Sequence, residues 1–228
     1  MPLLRRTAAE ALGTAFLLAA VVGSGIMAER LAGGNVALAL LANAIATGAV
    51  LFALIVVFAN VSGAHFNPAV TIAMMLRRTL GMGEAAGYVG AQVVGAMAGV
   101  AAAHAMFDLP LFSMSEQARE GSALVWSEFV ATFGLVLVVF GASRHGVPAT
   151  ALAVGAYIAA AYWFTASTSF ANPAVSIARA LTDSFSGIRI TDVPWFIAAQ
   201  LVAATAACVA GRLIFTMAPT EAPDPSPP

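Results

Sequence analysis

Eight apolar segments follow one another along the chain, and their lengths restrict it to a polytopic helical membrane fold. Six of them, at about 7–27, 36–59, 85–107, 122–142, 148–166 and 193–215, are long enough to span. A hydrocarbon core of about 30 Å takes roughly 20 helical residues at about 1.5 Å each. Two more, at about 67–76 and 172–181, would rise only about 15 Å, half of that core. They are too short to cross and too apolar for solvent loops, and half-helices dipping in from opposite faces account for both. Only 9% of the residues are charged, against about 25% in a soluble domain, so little water-facing surface can be covered. Arg5 and Arg6 ahead of the first apolar run resemble the start of a signal peptide. That run, however, holds Glu10 and its pattern returns at mid-chain, so it reads as the first span.

The internal repeat turns these segments into an architecture. The stretch around Glu10 (AEALGTAF) resembles that around Glu128 (SEFVATFG), Asn-Pro-Ala-Val at 67–70 returns identically at 172–175, and YVGAQ ending at Gln92 returns as FIAAQ ending at Gln200. The three anchors keep their order, so the halves differ only in loop length. Three spans per half is an odd number, which inserts the second copy upside down, and inverted repeats place their site near the midplane where the halves meet. The expected fold is therefore all-α: six transmembrane helices plus two re-entrant half-helices. It forms one channel domain over 1–218, with repeats at about 7–107 and 122–215, and a proline-rich, disordered tail at 219–228.

Loop charge orients the chain. Arg5, Arg6, Arg77, Arg78, Arg144 and Arg212 fall on one side. Arg30, Arg119 and Arg189 fall on the other, among Glu29, Asp108, Glu116, Glu120, Asp183 and Asp192. The positive-inside rule then puts both termini in the cytoplasm. There is no lysine and no basic block, which argues against nucleic acid as a partner. The one cysteine, Cys208, excludes a disulfide framework. Three scattered histidines and that cysteine offer neither a nucleophile–base pair nor a metal cluster, so no enzyme, metal or cofactor is expected. Small residues at intervals of four, Gly87, Ala91, Gly95, Gly99 and Ala103, with Ala199, Ala203, Ala207 and Gly211 in the last span, predict close helix packing.

Asn67-Pro68-Ala69 and Asn172-Pro173-Ala174 are built to open half-helices. Proline at the first helical position loses nothing by lacking an N–H, and asparagine caps the end before it. Each half-helix then aims about half a positive charge at the membrane centre, where two such ends repel cations while the asparagine amides offer donors to a solute. A carboxylate within a span costs about 2.5–3.5 kcal/mol on insertion scales. Glu10 and Glu128 read either as proton carriers or as acceptors for the orphan N–H groups of re-entrant loops, and their symmetry favours the second.

The run SGAHFNPAVT, from Ser62 to Thr71, resembles the signature of the aquaporin or major intrinsic protein family. The glutamate segments and the Ala-Gln repeats match it as well, and the resemblance covers nearly the whole chain. It implies six helices and a seventh pseudo-span made of two half-helices, usually in a homotetramer with one pore per subunit. It also implies that the glutamates support loops and that His65 lines the cytoplasmic half of the pore. Most members carry arginine directly after the second Asn-Pro-Ala, where this chain has Val175. Carried over by distance from the two asparagines, the other filter positions become Thr47, Ala160 and Ser169. That set contains no aromatic ring and no charge, which predicts a wide, less polar pore. Arg179, four residues beyond Val175 and about 6 Å further out, either supplies the missing cation or snorkels to the interface. The open filter also resembles a bacterial branch associated with arsenic resistance.

The expected function is passive passage of small uncharged solutes with water, glycerol-like polyols or metalloid hydroxides such as arsenous acid. The expected site is a bacterial inner membrane, with the lipid bilayer as partner. The alternatives are a water-selective channel and a proton-coupled transporter working through Glu10 and Glu128.

Overall fold

The computed structural model describes residues 1–215; the tail expected at 219–228 lies outside the described residues. The described chain is helical, with α1 Leu3–Leu31, α2 Val36–Ser62, α3 Pro68–Leu76, α4 Met82–Met106, α5 Ser122–Ala142, α6 Val147–Phe164, α7 Pro173–Arg179 and α8 Val193–Phe215. A 3-10 turn, Ser143–His145, links α5 to α6. Six helices are long and apolar enough to cross a membrane. The remaining two, α3 with nine residues and α7 with seven, are half-helices. The structure starts α1 a turn earlier than the hydropathy does and ends α7 two residues sooner.

Local chemistry sets the helix ends. Asn35 caps α2 by accepting from the Leu38 N–H at 3.1 Å, and the helix stops at Gly63, whose φ of 91° other residues rarely adopt. Within each half the two ridges of small residues do the packing. A Cβ added at Gly95 or Gly99 of α4 would run into the backbone carbonyls of Ala11 and Ala15, so α1 and α4 meet backbone to backbone. Gly95→Leu is therefore expected to destabilise the fold by at least about 1–3 kcal/mol through overpacking. Gly90→Ala, a control with nothing within 4 Å of the added methyl, is expected to be tolerated; thermal unfolding of the purified protein in detergent separates the two.

The periphery is apolar. Phe16, Ile45, Val94, Leu152 and Val202 are exposed along the helix flanks, a surface suited to lipid tails. Trp126 begins α5, Trp163 ends α6 and Trp195 begins α8, all exposed. By chain alternation these three lie at the face opposite the N-terminus, the distal face below, as tryptophans of a membrane interface do. Charged and polar side chains are turned inward instead: Glu10, Glu128, Gln92 and Gln200 are all fully buried.

Candidate conducting pore

The half-helices meet N-terminus to N-terminus. Asn67 caps α3 through the Ala69 N–H at 2.8 Å, and Asn172 caps α7 through those of Ala174 at 3.0 Å and Val175 at 3.3 Å. Each asparagine also donates across the interface, Asn67 Nδ2 to the Ala171 carbonyl at 2.7 Å and Asn172 Nδ2 to that of Phe66 at 2.8 Å. The exchange is reciprocal, so the two loops fix each other. Each asparagine Nδ2 has two hydrogens, and both side chains line a shared cavity, leaving one donor each for its contents.

The loops before the asparagines are strained in matching places. Non-glycine residues take positive φ at Ala64 and Phe66 in the first loop and at Ser169 and Ala171, their repeat equivalents, in the second. Such backbone costs about 1–3 kcal/mol per residue and persists only where its surroundings over-determine it. The glutamates do so. Glu10 Oε1 accepts from Ser62 Oγ at 2.6 Å and the His65 N–H at 3.0 Å. Its Oε2 accepts from the Phe66 N–H at 2.6 Å and Gln92 Nε2 at 2.8 Å.

Glu128 repeats the pattern. It takes Ser167 Oγ at 2.6 Å and the Phe170 N–H at 2.8 Å on one oxygen, and the Ala171 N–H at 2.8 Å and Gln200 Nε2 at 2.6 Å on the other. Each glutamine bridges onward to the hydroxyl of a half-helix, Gln92 to Thr71 and Gln200 to Ser176. A carboxylate has about four lone-pair sites, and here four donors occupy them. Each carboxylate thereby ties its re-entrant loop to the spanning helix that carries it.

A single cavity runs past both asparagines. His65 lines it on the side of the N-terminal face and bonds Thr71 Oγ1 at 3.1 Å through Nδ1. Toward the distal face the wall includes Thr47, Ser169, Val175 and Arg179. Ala160 is not among them: it is exposed on the outside of α6, and the expectation that it borders the filter is corrected. Ile158 and Tyr162 line the cavity instead. They stand one turn apart on one stripe, with residue 160 about 200° round the helix from either.

The register comes from the α2–α6 crossing. A Cβ on Gly48 would lie 2.7 Å from the Gly155 carbonyl oxygen, so the backbones touch there. Further toward the distal face that contact brings Tyr162 Oη within 3.2 Å of Thr47 Oγ1. The expected absence of an aromatic ring fails with Ala160, because the tyrosine adds a ring and a hydroxyl. The stripe Val154, Ile158, Tyr162 beside Gly155 was the signal available in the sequence.

The fate of Arg179 is also plain. It is 2% exposed, so it does not snorkel; it lines the cavity and stacks on Phe170, with its guanidinium carbon 3.4 Å from the ring centroid. Arg119, which sequence reasoning counted among loop charges, folds inward to donate to the carbonyls of Gly187 at 2.7 Å and Ser167 at 3.3 Å. Burial pulls the Arg119 pKa below its ordinary value, with Glu128 opposing through space.

Six spanning helices around two capped half-helices, enclosing a cavity with paired amide donors, define a channel-forming integral membrane protein. The chain belongs to the major intrinsic protein family, the aquaporins: residues 1–146 match the description Major intrinsic protein. Aquaglyceroporin AqpS of Rhizobium meliloti (strain 1021) is 55% identical over 205 residues, 90% of this chain and 88% of that protein. The probable aquaporin PIP2-8 of Oryza sativa subsp. japonica is 35% identical over 61% of this chain and 52% of its own length. Among solved structures, the aquaglyceroporin from Plasmodium falciparum superposes with a TM-score of 0.72 at 20% identity. That match covers 94% of this chain and 96% of the other, and it speaks for the fold.

Proposed function

We propose that the protein is a passive channel for glycerol-sized neutral solutes that carry several hydroxyl groups, polyols or metalloid hydroxides such as arsenous acid, with water accompanying them. The observation that carries this reading is the mixed lining of the cavity. Val70, Leu135, Val154, Ile158 and Val175 present hydrocarbon, while Asn67, Asn172, Ser169 and the Thr47–Tyr162 pair present donors and acceptors. A polyol carries the same mixture of hydrocarbon and hydroxyl groups. A wholly apolar wall would leave those hydroxyls without partners, at a cost of about 1–3 kcal/mol each.

In this reading Thr47, Tyr162, Ser169 and Val175 form the filter, Asn67 and Asn172 the central constriction, and His65 the wall of the inner half. Residues 1–218 act as one channel domain with repeats at about 7–107 and 122–215. The surplus of arginine at the N-terminal face supports cytoplasmic termini, in a bacterial inner membrane. Assembly as a homotetramer with one pore per subunit follows the family pattern, with the bilayer as its surroundings. That AqpS is named an aquaglyceroporin supports the solute class.

Shrinkage and re-swelling of proteoliposomes under gradients of glycerol, arsenous acid, urea and water tests the reading. Glycerol flux at least about 10-fold above empty vesicles is expected, linear in concentration and indifferent to a pH gradient. Water flux alone would establish the water-selective reading. Saturable uptake driven by pH would establish the transporter.

A further inference from the structure

Moving the filter position from arginine to Val175 removes a fixed cation from the usual place, yet two guanidinium groups are gathered just beyond it. Arg179 stands one turn from Val175 along α7, about 6 Å nearer the distal mouth, and lines the cavity. Its Nε donates to the Ser186 carbonyl, which anchors the side chain while its Nη atoms make no hydrogen bond to another described residue. Arg119 reaches the same ring from the α4–α5 loop, its guanidinium carbon 5.0 Å from the Phe170 centroid. It is held by the carbonyls of Gly187 and Ser167, by that of Phe185 at 3.4 Å and by Thr168 Oγ1 at 3.4 Å.

Among the described residues neither arginine is paired with a carboxylate. Asp192 accepts from the Arg119 backbone N–H at 2.8 Å and pairs with Arg189 at 3.1 Å, while Glu128, which acts on Arg119 through space, spends both oxygens on its own four donors. Neither guanidinium is therefore neutralised by an ion pair in contact with it. Ser169 adds an independent sign of a ligand position: it lines the same cavity, and its buried hydroxyl has no hydrogen-bond partner.

We propose that Arg179 is the specificity-determining cation of this pore, displaced one helical turn outward from Val175, with Arg119 as its positioning partner across Phe170. The pair excludes cations electrostatically, and the free Arg179 nitrogens, with Ser169, bind the hydroxyls of a neutral solute before it enters the filter. The charge stands one turn outward of Val175 instead of level with it, which separates two duties. Cations are repelled by the field, which acts over several ångströms, while neutral polyols are not squeezed past a guanidinium. Arg119 fastens the Ser167–Thr168 turn and flanks the ring on which Arg179 stacks, so it fixes the height of the cation as well as adding to its field.

The inference rests on the channel reading above, and the test separates the two. Full-length protein in vesicles is assayed for glycerol flux and, under a clamped potential, for methylammonium and sodium leak. Arg179→Met is expected to raise the cation-to-glycerol permeability ratio at least about 10-fold. Arg179→Lys, which keeps the charge, is expected to hold it within about 3-fold of the unaltered protein.

Arg119→Gln is expected to raise the ratio about 3-fold or more, a change of ion selectivity that loss of folded protein alone cannot cause. It also carries the test, with Arg179→Lys as its comparison, if Arg179→Met does not reach the membrane. Glycerol flux in every variant with an unchanged cation ratio overturns the role of Arg179. Absence of glycerol flux in the unaltered protein overturns the proposed function instead.

Discussion

Glu128→Leu is expected to abolish folded channel at any temperature of assay. The substitution keeps the volume and removes the acceptor, stranding Ser167 Oγ, the N–H groups of Phe170 and Ala171, and Gln200 Nε2 in a site with no exposure. Each stranded buried donor costs about 1–3 kcal/mol, so four approach the whole stability of about 5–15 kcal/mol of an ordinary domain. The strained turns at Ser169 and Ala171 would lose the contacts that hold them, and Asn172 would lose its place opposite Asn67.

Glu128→Gln is the informative companion, because it keeps one acceptor oxygen. Its amide nitrogen can meet Gln200, whose Oε1 is buried without a partner, if that side chain turns over. Reduced but measurable folded protein is expected, with flux still indifferent to a pH gradient. Yield of monodisperse protein, and flux at equal membrane abundance, read both variants. A Glu128→Gln protein that folds but has lost a proton-coupled flux would instead make the carboxylate a carrier.

Val175→Arg is expected to lower the flux of glycerol and larger solutes at least about 10-fold while sparing water. Val175 lies on the cavity wall, 5% exposed, with the Thr47–Tyr162 pair and Ser169 in the same distal section. A guanidinium there adds volume and five N–H donors at a level where Tyr162 already intrudes. It would also stand one turn from Arg179, so like-charge repulsion pushes the new side chain further into the conduit. Because a new intramembrane arginine costs about 2.5–3.5 kcal/mol on insertion scales, flux is compared at equal abundance in the bilayer. Unchanged glycerol flux in a well-folded variant would remove Val175, and with it the whole assigned filter, from the narrowest part of the pore.

Much of this molecule is legible in its sequence because the relevant signals are lengths and symmetries. Spans of about 20 residues set against segments of ten distinguish crossing helices from half-helices, and the structure has six and two. Glu10 and Glu128 are legible as a pair because two carboxylates related by an inverted repeat must meet equivalent surroundings, and each accepts from the N–H groups of its own loop. Asn-Pro-Ala announces a capped helix start because its chemistry is local to three residues.

The filter was not legible in the same way. Counting back from Asn172 pointed to Ala160, but the count passes through the loop after α6, whose length is free to vary without changing any hydropathy pattern. The rotation of α6 is set elsewhere, where the backbones of Gly48 and Gly155 touch, and that contact turns Ile158 and Tyr162 inward and Ala160 outward. Arg119 and Phe170 were hidden for a related reason. Nothing local to a loop arginine says whether it faces water or the carbonyls of a loop some fifty residues away, and only closure of the chain around the second half-helix brings those carbonyls to it.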